Sequence, residues 1–299
     1  MTKNQEPARR TMLKGLAGGL TGGLMMSIMG ENLQTTGWAA EAPSPIKGNL
    51  RQSVSRWCYG KWSMEELASR AAKIGYQGID LVGPADWPTL KKHGLTCAVN
   101  AGSGPIRIES GLNRKENHAA IVEALKKELD LAAEAGVPNV ICFSGNRQGM
   151  SDEEGLENCM LGAKQVAGYA EKKGVTICIE LLNSKVDHKD YLCDHTAWGV
   201  KLVKAVGSVR FKLLYDIYHM QIMEGDVIRT ITENVEYIGH MHTAGVPGRH
   251  EIDDTQELNY PAICRAIVKA GYQGFLGQEF VPTRDPLASL EQAFRLCDV

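Results

Sequence analysis

FKLLYDIYH (Phe211–His219) and YIGHMHTAG (Tyr237–Gly245) are the two segments that decide the fold of this chain. Both start as short apolar runs and end in side chains that bind metals, namely Asp216, His219, His240 and His242. A buried strand with Asp or His at its C-terminal end is typical of the catalytic side of a parallel α/β barrel. The two segments therefore favour a barrel, provided that the rest of the chain supplies one.

The rest of the chain repeats the same build from Ile46 onward. Eight units follow one another, each with a short apolar run, a polar loop and an amphipathic helix. The stretch 46–299 matches the roughly 250 residues of a typical (β/α)8 barrel. A doubly wound open sheet is the alternative, but it would need a Gly-rich phosphate turn after the first strand, and the sequence has none there. We predict an α/β fold, a (β/α)8 TIM barrel over 46–299.

The first 42 residues have the pattern of a targeting segment. Arg9 and Arg10 precede an uncharged, Gly-rich and weakly apolar run at 16–30, and small residues at 39–42 offer a cleavage site. This order resembles a cleavable twin-arginine export signal followed by a linker, which predicts a periplasmic protein. An ordinary anchor or a disordered tail is the alternative.

Composition narrows the range of partners. The chain is 43% hydrophobic with a net charge of −2, which gives no support to a nucleic-acid partner. No uncharged run of 18 residues occurs beyond the N-terminal segment, so we expect no membrane span after signal removal. The eight cysteines form no CxxC pair, and Cys97, Cys142 and Cys178 lie in apolar runs where a thiol is usually a core residue. A homo-oligomer is compatible with these features.

Four predicted strands in the second half each end in one ligand-type side chain. They are spaced by 36, 26 and 37 residues, close to one strand–helix unit each, and they are Glu180, Asp216, His242 and Glu279. Three carboxylates and one imidazole suit Mg²⁺ or Mn²⁺, and Co²⁺ is compatible as well. Taken singly, each acid would read as a helix cap or a loop ion pair, and His240 as a core histidine. Because all four residues lie at strand ends about one strand–helix unit apart, one shared metal site is favoured.

Several segments then resemble one enzyme family. IELLN (179–183), YDIYHMQIMEGD (215–226) and GHMHTAGVPGRHE (239–251) are similar to hydroxypyruvate isomerases of the xylose isomerase-like barrel superfamily, which also includes the ketose 3-epimerases. The resemblance is strongest from Thr176 to Pro282. It implies that the metal ligands are Glu180, Asp216, His242 and Glu279. It also implies that His219 and Arg249 contact the substrate.

One position departs from that family. Hydroxypyruvate isomerases have Gln where this chain has His242, whereas the ketose epimerases have His. A loop ion pair with Glu251 or Asp253 is the alternative role for Arg249. In the N-terminal half, Trp57, Trp62 and Trp87 either line the pocket or pack in the core.

The resemblance and the residues together predict a metal-dependent isomerase that acts on a small sugar or keto acid through an enediolate. Glu180 and Glu279 would move the proton between carbons, as in the conversion of hydroxypyruvate to tartronate semialdehyde. A ketose 3-epimerase, or a lyase acting on a keto-sugar or keto-glycoside, would use the same site. A non-catalytic sugar-binding barrel would not need both glutamates. A metal-dependent endonuclease would need more His ligands and a basic groove.

Overall fold

The structure is a computed structural model that describes Pro45–Val299, so the predicted signal and linker at 1–42 lie outside the described residues. The strands are β1 (Arg51–Ser55), β2 (Gly78–Asp80), β3 (Thr96–Cys97), β4 (Asn139–Cys142), β5 (Thr176–Leu181), β6 (Phe211–Asp216), β7 (Ile238–Thr243) and β8 (Phe275–Gln278). The α-helices are α1 (Met64–Ile74), α2 (Trp87–Lys92), α3 (His118–Ala135), α4 (Asp152–Lys173), α5 (Thr196–Val206), α6 (Ile217–Met223), α7 (Val227–Asn234), α8 (Tyr260–Lys269) and α9 (Pro286–Cys297).

The eight strands form one parallel sheet that curls on itself. Their order is β3-β2-β1-β8-β7-β6-β5-β4. Asn100 joins the two ends, because its backbone N–H donates to Asn139 at 2.9 Å and its carbonyl accepts from Ile141 at 3.3 Å. The predicted TIM barrel is confirmed, and the open doubly wound sheet is excluded.

Local sequence signals set most helix ends. Helices α4 and α5 end at glycines in the left-handed conformation, Gly174 and Gly207. The predicted extent of the sixth strand was wrong: β6 stops at Asp216, and α6 begins at the next residue. The cause is local, since the Asp216 carboxylate accepts hydrogen bonds from the backbone of Tyr218 and His219 and so caps α6.

The barrel interior has an apolar floor below a polar layer. Val99, Ile141, Cys178 and Leu214 form a separate buried cluster across neighbouring strands. Side chains two residues apart on a strand point to the same face. Glu180 and Asp216 therefore lie directly above Cys178 and Leu214, toward the C-terminal end of the barrel. This floor leaves the polar layer open only toward the loops at that end.

Two further expectations concern the cysteines and the membrane. All eight cysteines are free and buried, as expected for core thiols. Within 45–299, no helix combines the length and apolarity that a membrane crossing requires.

Helix α1 provides a test of local stabilisation. The Ser63 hydroxyl accepts a hydrogen bond from the Glu66 backbone at 3.2 Å, and the Glu66 carboxylate accepts one from the Ser63 backbone at 2.8 Å. We expect Ser63→Ala to lower the free energy of unfolding by about 1 kcal/mol, because such a capping box satisfies two free backbone donors. Urea titration would measure this, with Ser69→Ala in the same helix as the control. An equal loss in both variants would contradict the capping role.

Candidate metal centre

The structure brings together four residues from the last four strands and their ends. Glu180 lies near the C-terminal end of β5, and Asp216 is the last residue of β6. His242 lies in β7, and Glu279 directly follows β8. Asp216 and His242 are paired in the β6–β7 register. Each of the four offers a ligand atom, these atoms lie within 4.8 Å of one another, and all four residues are buried.

The residues present fit a hard divalent cation. His242 Nδ1 lies 2.9 Å from Glu279 Oε2 and 3.7 Å from Glu180 Oε1, yet it has no aligned hydrogen-bond partner in the described part of the chain. Ligands in an octahedral shell with bonds of about 2.1 Å are about 3 to 4 Å apart. The spacing and the oxygen-rich donor set therefore allow this cluster to hold a metal ion.

Arg249 reaches into the same cluster. Its Nη2 lies 3.2 Å from Asp216 Oδ2 and 2.7 Å from Glu279 Oε2. The guanidinium lies between the rings of Trp57 and Tyr218, at 5.3 and 5.2 Å from their centroids. A cation therefore already neutralises two of the carboxylates.

The alternative role of Arg249 as a loop ion pair is wrong. Glu251 and Asp253 instead pair with Arg284, at 3.5 and 2.5 Å. Arg249 has a left-handed backbone with φ of 61°, an uncommon conformation for a residue with a side chain. The loop thus turns its guanidinium toward the cluster.

His219 is held between two donors. Its Nδ1 lies 2.6 Å from Asn183 Nδ2, and its Nε2 lies 3.1 Å from Arg249 Nη1. Asn183 Oδ1 accepts from the backbone of Val186 and Asp187, which fixes the orientation of the amide. Burial lowers the pKa of His219 well below its usual value, so the ring is neutral and carries one N–H. One of the two donors therefore meets an N–H, so either Asn183 or Arg249 has no acceptor on this ring.

Burial and mutual charge separate the two glutamates. Burial raises the pKa of Glu180, and the charge of Glu279 adds to this effect. Burial alone would also raise the pKa of Glu279, but His242 and Arg249 together hold it well below its usual value. Two carboxyl groups whose pKa values are pushed in opposite directions are suited to the roles of acid and base.

Metal binding at this cluster is expected to tighten as pH rises from 6 to 8. Burial raises the pKa of Asp216 from 3.8 to about 7, and the charge of Glu279 adds to that shift against the attraction of Arg249. Burial lowers the pKa of His242, but the charge of Glu279 and the proximity of the Asp80 and Glu180 carboxylates raise it well above 6.5. Both groups must lose a proton to act as ligands. Calorimetric titration with Mn²⁺ in buffers of different ionisation enthalpy would count the released protons. Affinity that is independent of pH would contradict this expectation.

Three further residues support the cluster: the sequence left Trp57 open between pocket and core, it indicated a core histidine at His240, and it did not single out Asp80. Trp57 is 48% exposed, yet its Nε1–H donates to Glu279 Oε1 at 2.7 Å. Asp80 and His240 lie behind His242 and bond to each other at 3.0 Å. Asp80 ends β2 at the same end of the barrel as the three acids and one histidine described above, and that position was the available signal. Among the other histidines, His188 packs against His219 with ring centroids 5.3 Å apart.

Residues 68–297 match the model of the xylose isomerase-like TIM barrel family, which covers more than half of the chain. The chain belongs to this family. The match includes all four residues of the buried cluster, together with His219 and Arg249.

Individual relatives of the chain include named isomerases. The hydroxypyruvate isomerase of Escherichia coli is 27% identical over 78% of this chain and 93% of its own length. The 2-oxo-tetronate isomerase of Cupriavidus necator is 38% identical, but this chain spans only half of that enzyme's length in the alignment. A solved structure, an AP endonuclease of family 2 from Brucella melitensis, superposes with a TM-score of 0.73 at 25% identity, over 81% of this chain and 97% of that one. The protein is accordingly an isomerase of this barrel family.

Proposed function

We propose that this isomerase is metal-dependent and moves a proton between adjacent carbons of a small keto acid or sugar through an enediolate. Hydroxypyruvate to tartronate semialdehyde is the reaction that we assign first, because the hydroxypyruvate isomerase of Escherichia coli matches over 93% of its length; 2-oxo-tetronate isomerases match over 84% and 89% of theirs, so their substrate is the next to be tested. One observation carries the mechanism. Glu180 and Glu279, from β5 and the end of β8, both face His242 Nδ1 within one buried cluster.

Glu180, Asp216, His242 and Glu279 would hold the cation, with Mg²⁺ or Mn²⁺ preferred for this donor set and Co²⁺ also compatible. A divalent cation bound there supplies Lewis acidity, which polarises a carbonyl and acidifies the neighbouring C–H.

The two glutamates divide the proton transfer. Glu279, whose pKa is held low, is ionised and is suited to remove the proton. Glu180, whose pKa is raised, is suited to return a proton to the neighbouring carbon. The Trp57 N–H bound to Glu279 Oε1 leaves Oε2 as the oxygen that faces the cluster.

Arg249 and His219 would orient the substrate. The Arg249 side chain is 17% exposed and lies beside the neutral ring of His219, so its guanidinium can also donate to a substrate oxygen. Moving toward that oxygen would release Asp216 and Glu279 and place positive charge beside the developing enediolate.

A second candidate is favoured by His242. The resemblance to ketose 3-epimerases at this position, where hydroxypyruvate isomerases have Gln, supports an epimerase or a keto-sugar or keto-glycoside lyase. In an epimerase Glu180 would return the proton to the same carbon from the other face. The same four residues would serve both reactions, so the outcome depends on the substrate.

We also propose that the protein is exported through the twin-arginine route to the periplasm. The Arg pair at 9 and 10 supports this, and so do the free and buried cysteines, which suit a chain that folds in a reducing compartment first. Mass spectrometry of the periplasmic fraction would test the proposal. A chain that still begins at Met1 in the cytoplasm would refute it.

Deuterium wash-in tests the proposed reaction. Protein stripped with chelator and reloaded with Mn²⁺ would be incubated in D₂O with hydroxypyruvate, a 2-oxo-tetronate, a ketose or a 3-keto-glycoside, with metal content measured in parallel. We expect Mn²⁺-dependent exchange with at least one substrate, and the labelled carbon then separates isomerase from epimerase. Protein that carries its metal and exchanges with none of the four would overturn the mechanism.

A further inference from the structure

Behind the metal cluster lies a buried carboxylate that the proposed mechanism does not use. Asp80, at the end of β2, is fully buried. Its Oδ2 lies 2.8 Å from Ser53 Oγ, 3.0 Å from His240 Nε2 and 3.3 Å from His242 Nε2. An ionised carboxylate only accepts hydrogen bonds, so Ser53 and His240 donate to this oxygen, while His242 Nε2 lies within ion-pair distance of it without an aligned hydrogen bond.

The position of Asp80 favours a proton on one of the two nitrogens of His242. Nε2 is the nitrogen that faces the carboxylate, at 3.3 Å, and a proton there leaves the lone pair of a neutral ring on Nδ1. Nδ1 is the nitrogen that faces Glu180 and Glu279, at 3.7 and 2.9 Å. The ring is thus turned with its ligating atom toward the cluster.

The surrounding backbone makes room for this arrangement. Gly277 is the β8 partner of His242 in the sheet register. A Cβ at Gly277 would lie 2.0 Å from Asp80 Oδ2 and 2.8 Å from His242 Cδ2. The ring of His240 packs edge-on against that of His242, with centroids 4.9 Å apart. Four strands (β1, β2, β7 and β8) therefore converge on one acceptor oxygen.

We propose that Asp80 is a positioning residue of the metal centre: it fixes the tautomer and the ring orientation of His242 so that Nδ1 is presented to the cation. This inference rests on the proposed function, since it requires a cation in the cluster. Partners of this kind typically change metal affinity by about 10- to 100-fold when they are removed.

Asp80, His240 and His242 also lie close enough together to be considered a second cation site. The structure favours the hydrogen-bonded reading. The Asp80 oxygen already receives hydrogen bonds from Ser53 and His240, and His240 would have to give up its N–H for a second ion. Metal stoichiometry separates the two readings.

The test compares Asp80→Ala, Asp80→Asn and a matched control, Asn139→Ala. Asn139 is also buried in the barrel, where it donates to the carbonyl of Ala98 at 2.9 Å. Mn²⁺ affinity would be measured by calorimetry, stoichiometry by elemental analysis and Tm by thermal unfolding. We expect Asp80→Ala to weaken affinity about 10- to 100-fold, Asp80→Asn to weaken it less because the amide keeps an acceptor oxygen, and Asn139→Ala to lower Tm without changing affinity.

A second measurement does not depend on the variants. In Mg²⁺-loaded wild-type protein labelled with ¹⁵N-histidine, NMR should show His242 protonated at Nε2 and not at Nδ1. The opposite tautomer would overturn the inference even if Asp80→Ala does not fold. Wild-type affinity in Asp80→Ala, or two ions per chain with one lost in that variant, would also overturn it. Failure of the wild-type protein to bind Mn²⁺ would instead refute the proposed function itself.

Discussion

Replacing Glu279 with Gln is expected to lower turnover by about 10²- to 10⁴-fold, the range for loss of a general base. Oε2 of Glu279 lies 2.7 Å from Arg249 Nη2 and 2.9 Å from His242 Nδ1, and Oε1 accepts from Trp57. A glutamine keeps the shape and one acceptor oxygen, but it cannot take up a proton. The defect should therefore appear in turnover at saturating metal and substrate.

Glu180→Gln is the companion variant, and it should separate the two directions of proton movement. With Glu279 intact, proton removal would continue while return to the neighbouring carbon is lost. We therefore expect deuterium to wash into recovered substrate faster than product forms. Glu279→Gln should show neither process.

A matched control exists for these two variants. Glu128 in α3 is also a buried carboxylate, and it accepts hydrogen bonds from Asn100 and Ser103, not from any residue of the cluster. Glu128→Gln should lower Tm and leave turnover per folded molecule unchanged. If all three variants lose turnover equally, or if Glu279→Gln stays within about tenfold of wild type, the assignment of the base is wrong.

The fold was predictable because its signals are local and repeated. Each strand–helix unit carries its own apolar run and its own helix ends, such as the capping box at Ser63 and the left-handed Gly174. Parallel barrels also place the C-terminal ends of all strands at one side. The spacing of the strand ends along the sequence was therefore enough to group Glu180, Asp216 and Glu279.

Contacts between distant strands could not be predicted in the same way. Asp80 and His240 are 160 residues apart, and their bond depends on β1, β2, β7 and β8 converging. The Trp57 bond to Glu279 spans 222 residues and joins the first strand unit to the last. The direction of the Arg249 side chain depends on the left-handed backbone of Arg249 itself, within a loop. No hydrophobic periodicity of the sequence predicts that conformation. The missed contacts are those that only barrel closure creates.

Asp216→Asn is expected to weaken Mn²⁺ binding by at least about 100-fold, more than the loss of a supporting partner such as Asp80. The asparagine oxygen can still accept from the Tyr218 backbone, now at 2.8 Å, so the cap of α6 is kept. Its amide nitrogen would replace Oδ2, the oxygen that faces Arg249 at 3.2 Å. The variant thereby separates the role of Asp216 as a ligand from its role as a helix cap.

The same variant should be more stable than wild type when metal is absent and pH is high. Burial raises the pKa of Asp216 from 3.8 to about 7 despite the attraction of Arg249. Between these values the unfolded chain loses its proton first, so the free energy of unfolding of the metal-free wild type falls as pH rises from about 4 through about 7. Asparagine carries no proton to lose and escapes this penalty. Thermal unfolding in chelator at pH 5 and pH 8 would measure this loss of stability, and we expect the Tm advantage of Asp216→Asn to be larger at pH 8.

Added Mn²⁺ should reverse the order of the two Tm values by stabilising the wild type alone. Equal Mn²⁺ stabilisation of both proteins would show that Asp216 is not a ligand, whatever the result in chelator.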